Sequence, residues 1–196
     1  MDIPLDFLVG ERIYLRPLEA EDEQYFYPWF NNYEIMKMIG EVYPLSREKT
    51  RNRLEEWMSA SDSISLTIVI HGEDRIIGTV GLLHVDTIHR RAELGVIIGE
   101  EEYWSKGYGT EAITLLLQYG FNRLNLHMVY LGFIEFNEMA RKCYENLGFC
   151  HDGVIRDKYC MNGMYYNCIM MSILREEWIT RNMNMNMTLN SEKKHE

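Results

Sequence analysis

The sequence predicts an α+β fold: one domain in which a mixed, mostly antiparallel sheet is flanked by helices. Three observations carry that prediction. β-Branched stretches follow one another between residues 63 and 98 with short polar turns, as antiparallel strands do. Two helix-periodic segments then enclose a single strand, and a strand that returns after a helix across a sheet face lies parallel to the one before it. Finally, Asn162-Gly163 between two apolar runs is the strongest short-range hairpin signal.

Taken in order, "RIYLRPL" at 12–18 alternates Ile13 and Leu15 against Tyr14 and Arg16, the period of a half-buried strand. "EAEDEQYFYPWFNN" carries three acids in its first turn, which suit the positive end of a helix, and places Tyr25, Phe26 and Trp29 on neighbouring helical positions. Pro28 ends or kinks that helix. "LSREKTRNRLEEWM" reads as a second helix with Ser46 as N-cap and Leu54, Trp57 and Met58 facing inward. "SISLTIVI", "RIIGTVGLLHV" and "RAELGVIIG" are the three successive strands.

"GTEAITLLLQYGFNRL" repeats Ile113, Leu116, Leu117 and Gly120 at helical spacing, long enough to cross a sheet. "HMVYLGFIEF" is a further strand. "NEMARKCYENLG" starts at an N-cap Asn137 and ends with Gly148 beyond its last turn. Two strands surround Asn162-Gly163. The domain is set at residues 1–180, and the polar, low-complexity segment 181–196 is expected to be a disordered tail. No internal repeat is visible.

Composition narrows the partners. Thirty acidic and twenty basic side chains give a formal charge of −10, so the mean field repels nucleic acid and favours cations. Cys143, Cys150, Cys160 and Cys168 lie seven to ten residues apart without a CxxC pair, which argues against a metal site and for reduced, mostly buried thiols. No apolar run reaches the roughly 18 residues of a membrane span, and the start "MDIPLDFLVG" lacks a leader pattern, so a cytoplasmic location is expected.

The chemistry concentrates at "WSKGYGTEA", residues 104–112, where a buried strand runs into a turn and a long helix leaves it. Amides at a helix start are unpaired and favour an anion. Gly107 and Gly109 remove the side chains that would keep a diphosphate away. A dinucleotide fold would need a third glycine and repeated βα units, and a P-loop would need Gly-Lys-Ser/Thr; neither pattern is present.

"WSKGYGTEA", followed after a helix and a strand by "NEMARKCYENLGF", resembles the GNAT superfamily of acetyl-CoA dependent N-acetyltransferases over about residues 10–178. Trp104 stands where that family usually has Gln or Arg; an aromatic there resembles the branch that contains ribosomal-protein N-terminal acetyltransferases. "HRRAELGVII", "YGFNRLNLHMVYL" and "NGMYYNCIMMSIL" are similar to bacterial spermidine N-acetyltransferases.

The resemblance implies acetyl-CoA as co-substrate and a small amine, a polyamine such as spermidine, as acceptor. It assigns the diphosphate to the backbone amides of Ser105, Lys106, Gly107, Tyr108, Gly109 and Thr110. The pantetheine arm goes to the main chain of Val96, Ile97 and Ile98, and a further cofactor contact to the helix-capping Asn137. Tyr144 matches the family's general acid, and Glu93 a substrate-contacting acid.

For the general base the corresponding position is Gly132. Glu135, His127 or a water chain are the alternatives. The aromatic group Tyr25, Phe26, Tyr27, Trp29 and Phe30 reads as core rather than as a binding box. Competing functions are acetylation of a protein N-terminus or an amino-sugar, and a non-catalytic acyl-CoA binding module; a homo-oligomer is compatible with all of them.

Overall fold

The computed structural model describes the backbone of residues 7–192 and the side chains of residues 7–183. Its strands and helices follow the order β1 (Leu8–Val9), β2 (Ile13–Pro17), α1 (Glu23–Trp29), α2 (Tyr33–Ile39), α3 (Arg47–Ser59), β3 (Ile64–Ile70), β4 (Arg75–Asp86) and β5 (Arg91–Ile98). There follow α4 (Tyr108–Asn122), β6 (Met128–Ile134), α5 (Glu138–Leu147), β7 (Cys150–Met161), β8 (Met164–Leu174) and α6 (Arg175–Glu192). The strands form one sheet in the order β1-β2-β3-β4-β5-β6-β8-β7.

Every neighbouring pair is antiparallel except β5 and β6, the two strands joined through α4. That parallel pairing is short. Arg91, Ala92 and Glu93 face Met128, Val129 and Tyr130, and there the ladder stops. Beyond Glu93, β5 stays in register with β4 as far as Ile98, and β6 stays with β8 as far as Ile134. Each half keeps the twist of its own antiparallel partners, so the two strands part like the arms of a V.

The sheet is covered on both faces. On one, Ile113, Leu116, Leu117 and Phe121 of α4 and Tyr144 and Leu147 of α5 join a core that Trp178 of α6 closes. On the other, Phe26, Trp29 and Phe30 of α1, Ile35 of α2 and Leu54 of α3 pack on Val69 and Ile76. The second layer is anchored by a buried ion pair. Arg16 Nη2 lies 2.6 Å from Asp22 Oδ1, and Asp22 Oδ2 accepts from Thr67 Oγ1 at 2.9 Å and from the Glu19 amide at 3.0 Å. One carboxylate therefore ties β2 and β3 to the start of α1.

Three departures from the sequence reading have local causes. The first helical region is split: Pro28 sits one residue before the end of α1, and a separate helix α2 starts at Asn32. The Asn32 side chain accepts from the Glu34 amide at 2.9 Å, and Gly40 closes α2 in the left-handed region at φ 74°. Met58, expected inward, is exposed because Leu54 and Trp57 already fill the inner face of α3. Of the four free cysteines only Cys168 is fully buried; Cys150 and Cys160 lie on β7, the strand at the sheet edge, and are exposed. The segment read as a tail continues α6 to Glu192; residues 193–196, like the first six, lie outside the described residues.

Replacing Asp22 by Ala leaves the Arg16 guanidinium half-buried without its counter-charge and should lower the unfolding free energy by about 3 kcal/mol. Urea denaturation measures this, and a loss below about 1 kcal/mol would remove the anchoring role from this cluster.

Candidate active site

The parting of β5 and β6 opens a groove of about 660 Å³. Its walls come from the free edge of β5, the turn before α4, one face of α5 and, at the far end, α2. The β5 edge offers main-chain groups. The Gly99 amide donates to Ile77 O on β4, whereas Ile98 O, in the same peptide, points the other way and accepts from Trp104 Nε1 at 2.7 Å. By strand alternation the peptide groups of Val96 share the direction of those of Ile98, into the groove, while those of Ile97 face β4. All three residues line the groove, with the Ile97 side chain packed toward α1.

The turn presents amides. Ser105 (φ 57°) and Gly107 (φ 84°) are left-handed, and Gly107 is the N-cap of α4 without a side-chain cap. Among the described residues the amides of 105–110 donate to no backbone or side-chain acceptor; the first helical bond is from the Glu111 amide to Gly107 O, 3.0 Å. Six unspent donors at a helix start make an anion cradle. Ser105, Gly107, Gly109 and Thr110 line the groove, and a Cβ at Gly109 would project beside Ile98 at 3.7 Å. The side chains of Lys106 and Tyr108 lie against Tyr103 instead, so these two residues contribute through their amides.

On α5, the Asn137 side chain accepts from the Ala140 amide at 3.1 Å, as a cap does, and also lines the groove. Tyr144 is held between Phe133 and Phe149, with ring centroids at 5.5 and 5.7 Å. Its hydroxyl makes no hydrogen bond among the described residues although the residue lines the groove. Burial pushes the Tyr144 phenol well above the ordinary tyrosine range, and the neighbouring Cys143 adds to this, so the phenol holds its proton at physiological pH. Thr110 Oγ1 and Cys143 Sγ, 3.3 Å apart, fasten α5 to the first turn of α4.

At the far end Glu93 lines the groove with no hydrogen bond or ion pair among the described residues. It faces Tyr159, whose phenol burial pushes up to about 12, with Cys168 and then Glu93 adding to the effect. Ile35, Met38, Ile39 and Leu83 complete an apolar wall.

Several candidates sit elsewhere. Both oxygens of Glu135 accept from Asn167, at 2.8 and 2.9 Å, and His127 is exposed outside the groove. Gly132 lines the groove and carries no side chain; a Cβ there would meet Cys168 Sγ and Met170 Sδ at 3.0 Å. Phe26, Trp29 and Phe30 are core, and Tyr27 stacks under Arg47. The wall from α2 and Tyr159 was missed in the sequence. The bracket from Asn32 to Gly40 would have disclosed the helix, whereas Tyr159 lines the groove from a strand whose register shifts between Ile155 and Tyr159, which no local signal marks.

Comparison with known proteins places these features in a family. Residues 12–150 match the model of an acetyltransferase (GNAT) domain. The chain is 32% identical over 175 residues to the spermidine N(1)-acetyltransferase of Escherichia coli strain K12, covering 89% of this chain and 92% of that protein. It is 30% identical over 177 residues to the enzyme of the same name from Vibrio cholerae, covering 88% and 99%. The crystal structure of the Vibrio cholerae spermidine N-acetyltransferase in complex with CoA and spermine superposes with a TM-score of 0.80 at 28% identity, covering 87% of this chain and 99% of that one. No helix among the described residues is long and apolar enough to cross a membrane.

Ser105 has a side chain where the backbone favours glycine, so Ser105→Gly should raise the unfolding free energy by about 1 kcal/mol. Denaturant melts report it, and an unchanged or lower stability would show that the Ser105 side chain contributes a compensating contact.

Proposed function

The chain belongs to the GNAT acetyltransferases, and from that premise we propose that it acetylates a primary amine of a polyamine such as spermidine, with Tyr144 as the general acid. Acetyl-CoA is the acyl donor of the family. The observation that carries the reading is the presence, in one groove, of a turn whose Ser105, Gly107, Gly109 and Thr110 amides are unspent, the strand edge of β5 and a Tyr144 hydroxyl without a partner among the described residues.

The diphosphate is held by the amides of Ser105, Lys106, Gly107, Tyr108, Gly109 and Thr110, and the pantetheine arm extends β5 as an added strand along Val96 and the amide of Ile98, whose carbonyl is taken by Trp104. A peptide N–H on that edge polarises the thioester carbonyl. The neutral amine attacks that carbonyl, the C–S bond breaks as the tetrahedral oxyanion collapses, Tyr144 donates its proton to the departing thiolate, and the proton shed by the acylated nitrogen passes through water back to the phenolate. With Glu135 and His127 outside the groove's lining and only a glycine at 132, the ammonium loses its proton to water before attack. Glu93 receives a second ammonium of the acceptor, and the methylene stems lie on Ile35, Met38 and Ile39. The net charge of −10 favours such a cation over an acidic one.

With acetyl-CoA present, spermidine should release free thiol and an alanine-starting peptide should not. The reverse result would transfer the acceptor to a protein N-terminus, and CoA binding without turnover of either would leave only an acyl-CoA binding module. Tyr144→Phe should lower kcat by about 10²-fold with the KM for the amine changed less than about threefold. Because the phenol stays protonated beyond the ordinary tyrosine range, the wild-type rate should climb with pH as the amine deprotonates and show no alkaline limb below about pH 10. A limb near pH 8 would assign the proton donor to another group.

A further inference from the structure

Glu111 lies in the first turn of α4, next to the amides assigned above to the diphosphate. A free carboxylate there would satisfy the positive helix end itself and repel a phosphate. The fold turns it away. The Arg12 amide donates to Glu111 Oε1 at 2.8 Å, and Arg12 Nε to Oε2 at 2.9 Å. Gly10 makes room: a Cβ there would come within 2.6 Å of Glu111 Oε1. Burial alone would raise the Glu111 carboxyl, but these hydrogen bonds outweigh it and hold it below the usual carboxylate range.

The same guanidinium grips the turn. Arg12 Nη1 donates to Lys106 O at 2.9 Å, the group stacks 4.5 Å over the Tyr108 ring, and Nη2 lies 3.2 Å from where a Cβ of Gly107 would be. Arg12 thus touches four residues between 106 and 111 while standing outside the groove's lining. With Lys106 O turned back toward Arg12, the carbonyls of the turn are drawn away from the amide cradle.

We propose that Arg12 is a positioning residue for the donor: it neutralises Glu111 and pins the Lys106 carbonyl, so that the cradle meets the diphosphate without a competing negative charge. This rests on the acetyl-CoA reading of the groove. It assigns to the N-terminal hairpin, far from the acceptor end, a control over donor affinity alone.

The test is CoA titration by calorimetry with the full chain as wild type, R12A, E111Q and R12A/E111Q. R12A should weaken CoA binding roughly tenfold, leaving kcat and the KM for spermidine within about twofold. Adding E111Q to R12A should restore affinity to within about threefold of wild type, because the uncovered acid is then gone. The ratio of R12A to wild-type Kd should also shrink between about 0.05 M and 0.5 M NaCl. Should R12A not fold, R12K carries the same comparison with a loss of about threefold that E111Q again reverses. Wild-type affinity in R12A, or an R12A/E111Q double variant as weak as R12A, would overturn the proposal. A wild type that does not bind CoA would instead overturn the reading of the groove on which it rests.

Discussion

Main-chain donors and acceptors removed from water must be paired, and a sheet that opens in its middle violates that rule twice over. Here β5 and β6 share three residue pairs and then separate, each held by its outer neighbour. The edges of Leu94–Ile98 and of residues 132–134 line a groove instead of a dry core. An extended molecule with its own amides resolves the violation by taking the place of the missing strand. The pantetheine arm of CoA has that chemistry, and the rest of the site is arranged around the gap.

Charge differs between the two ends of the groove. One end is a helix start with six unspent amides and no side-chain cap, which favours an anion. The other end holds Glu93, unpaired, among apolar side chains, which favours a cation with methylene stems. Between them, on the α5 side, stands a phenol kept neutral by burial. An acidic protein can therefore take a polyanionic donor, provided the acid nearest its diphosphate is covered, and Arg12 covers it.

Much of this was legible in the residues. The Asn162-Gly163 hairpin, the three-strand meander and the periodicity of α4 each depend on local chemistry and sit where the sequence puts them. So does the parallel return of β6, because a helix separates it from β5. The glycine turn was readable because left-handed backbone and unpaired amides leave a mark in residue type; Ser105 at φ 57° shows that the mark is incomplete. Tertiary features were not readable. Asn32 and Gly40 bracket a helix that supplies one wall of the groove, but the preceding aromatic run masks the break at Pro28. The register shift in the strand that carries Tyr159, and the reach of Arg12 across almost a hundred residues to Glu111, arise only from packing.

The central claim is that the edge of β5 and the turn before α4 are the donor's hydrogen-bonding partners. Amide hydrogen exchange with and without saturating CoA tests it residue by residue. The account predicts slowed exchange on CoA addition at Val96 and Ile98 and across 105–110, with the exposed hairpin of β7 and β8 unaffected. Unchanged exchange along that edge and turn, with protection appearing elsewhere in the chain, would contradict it.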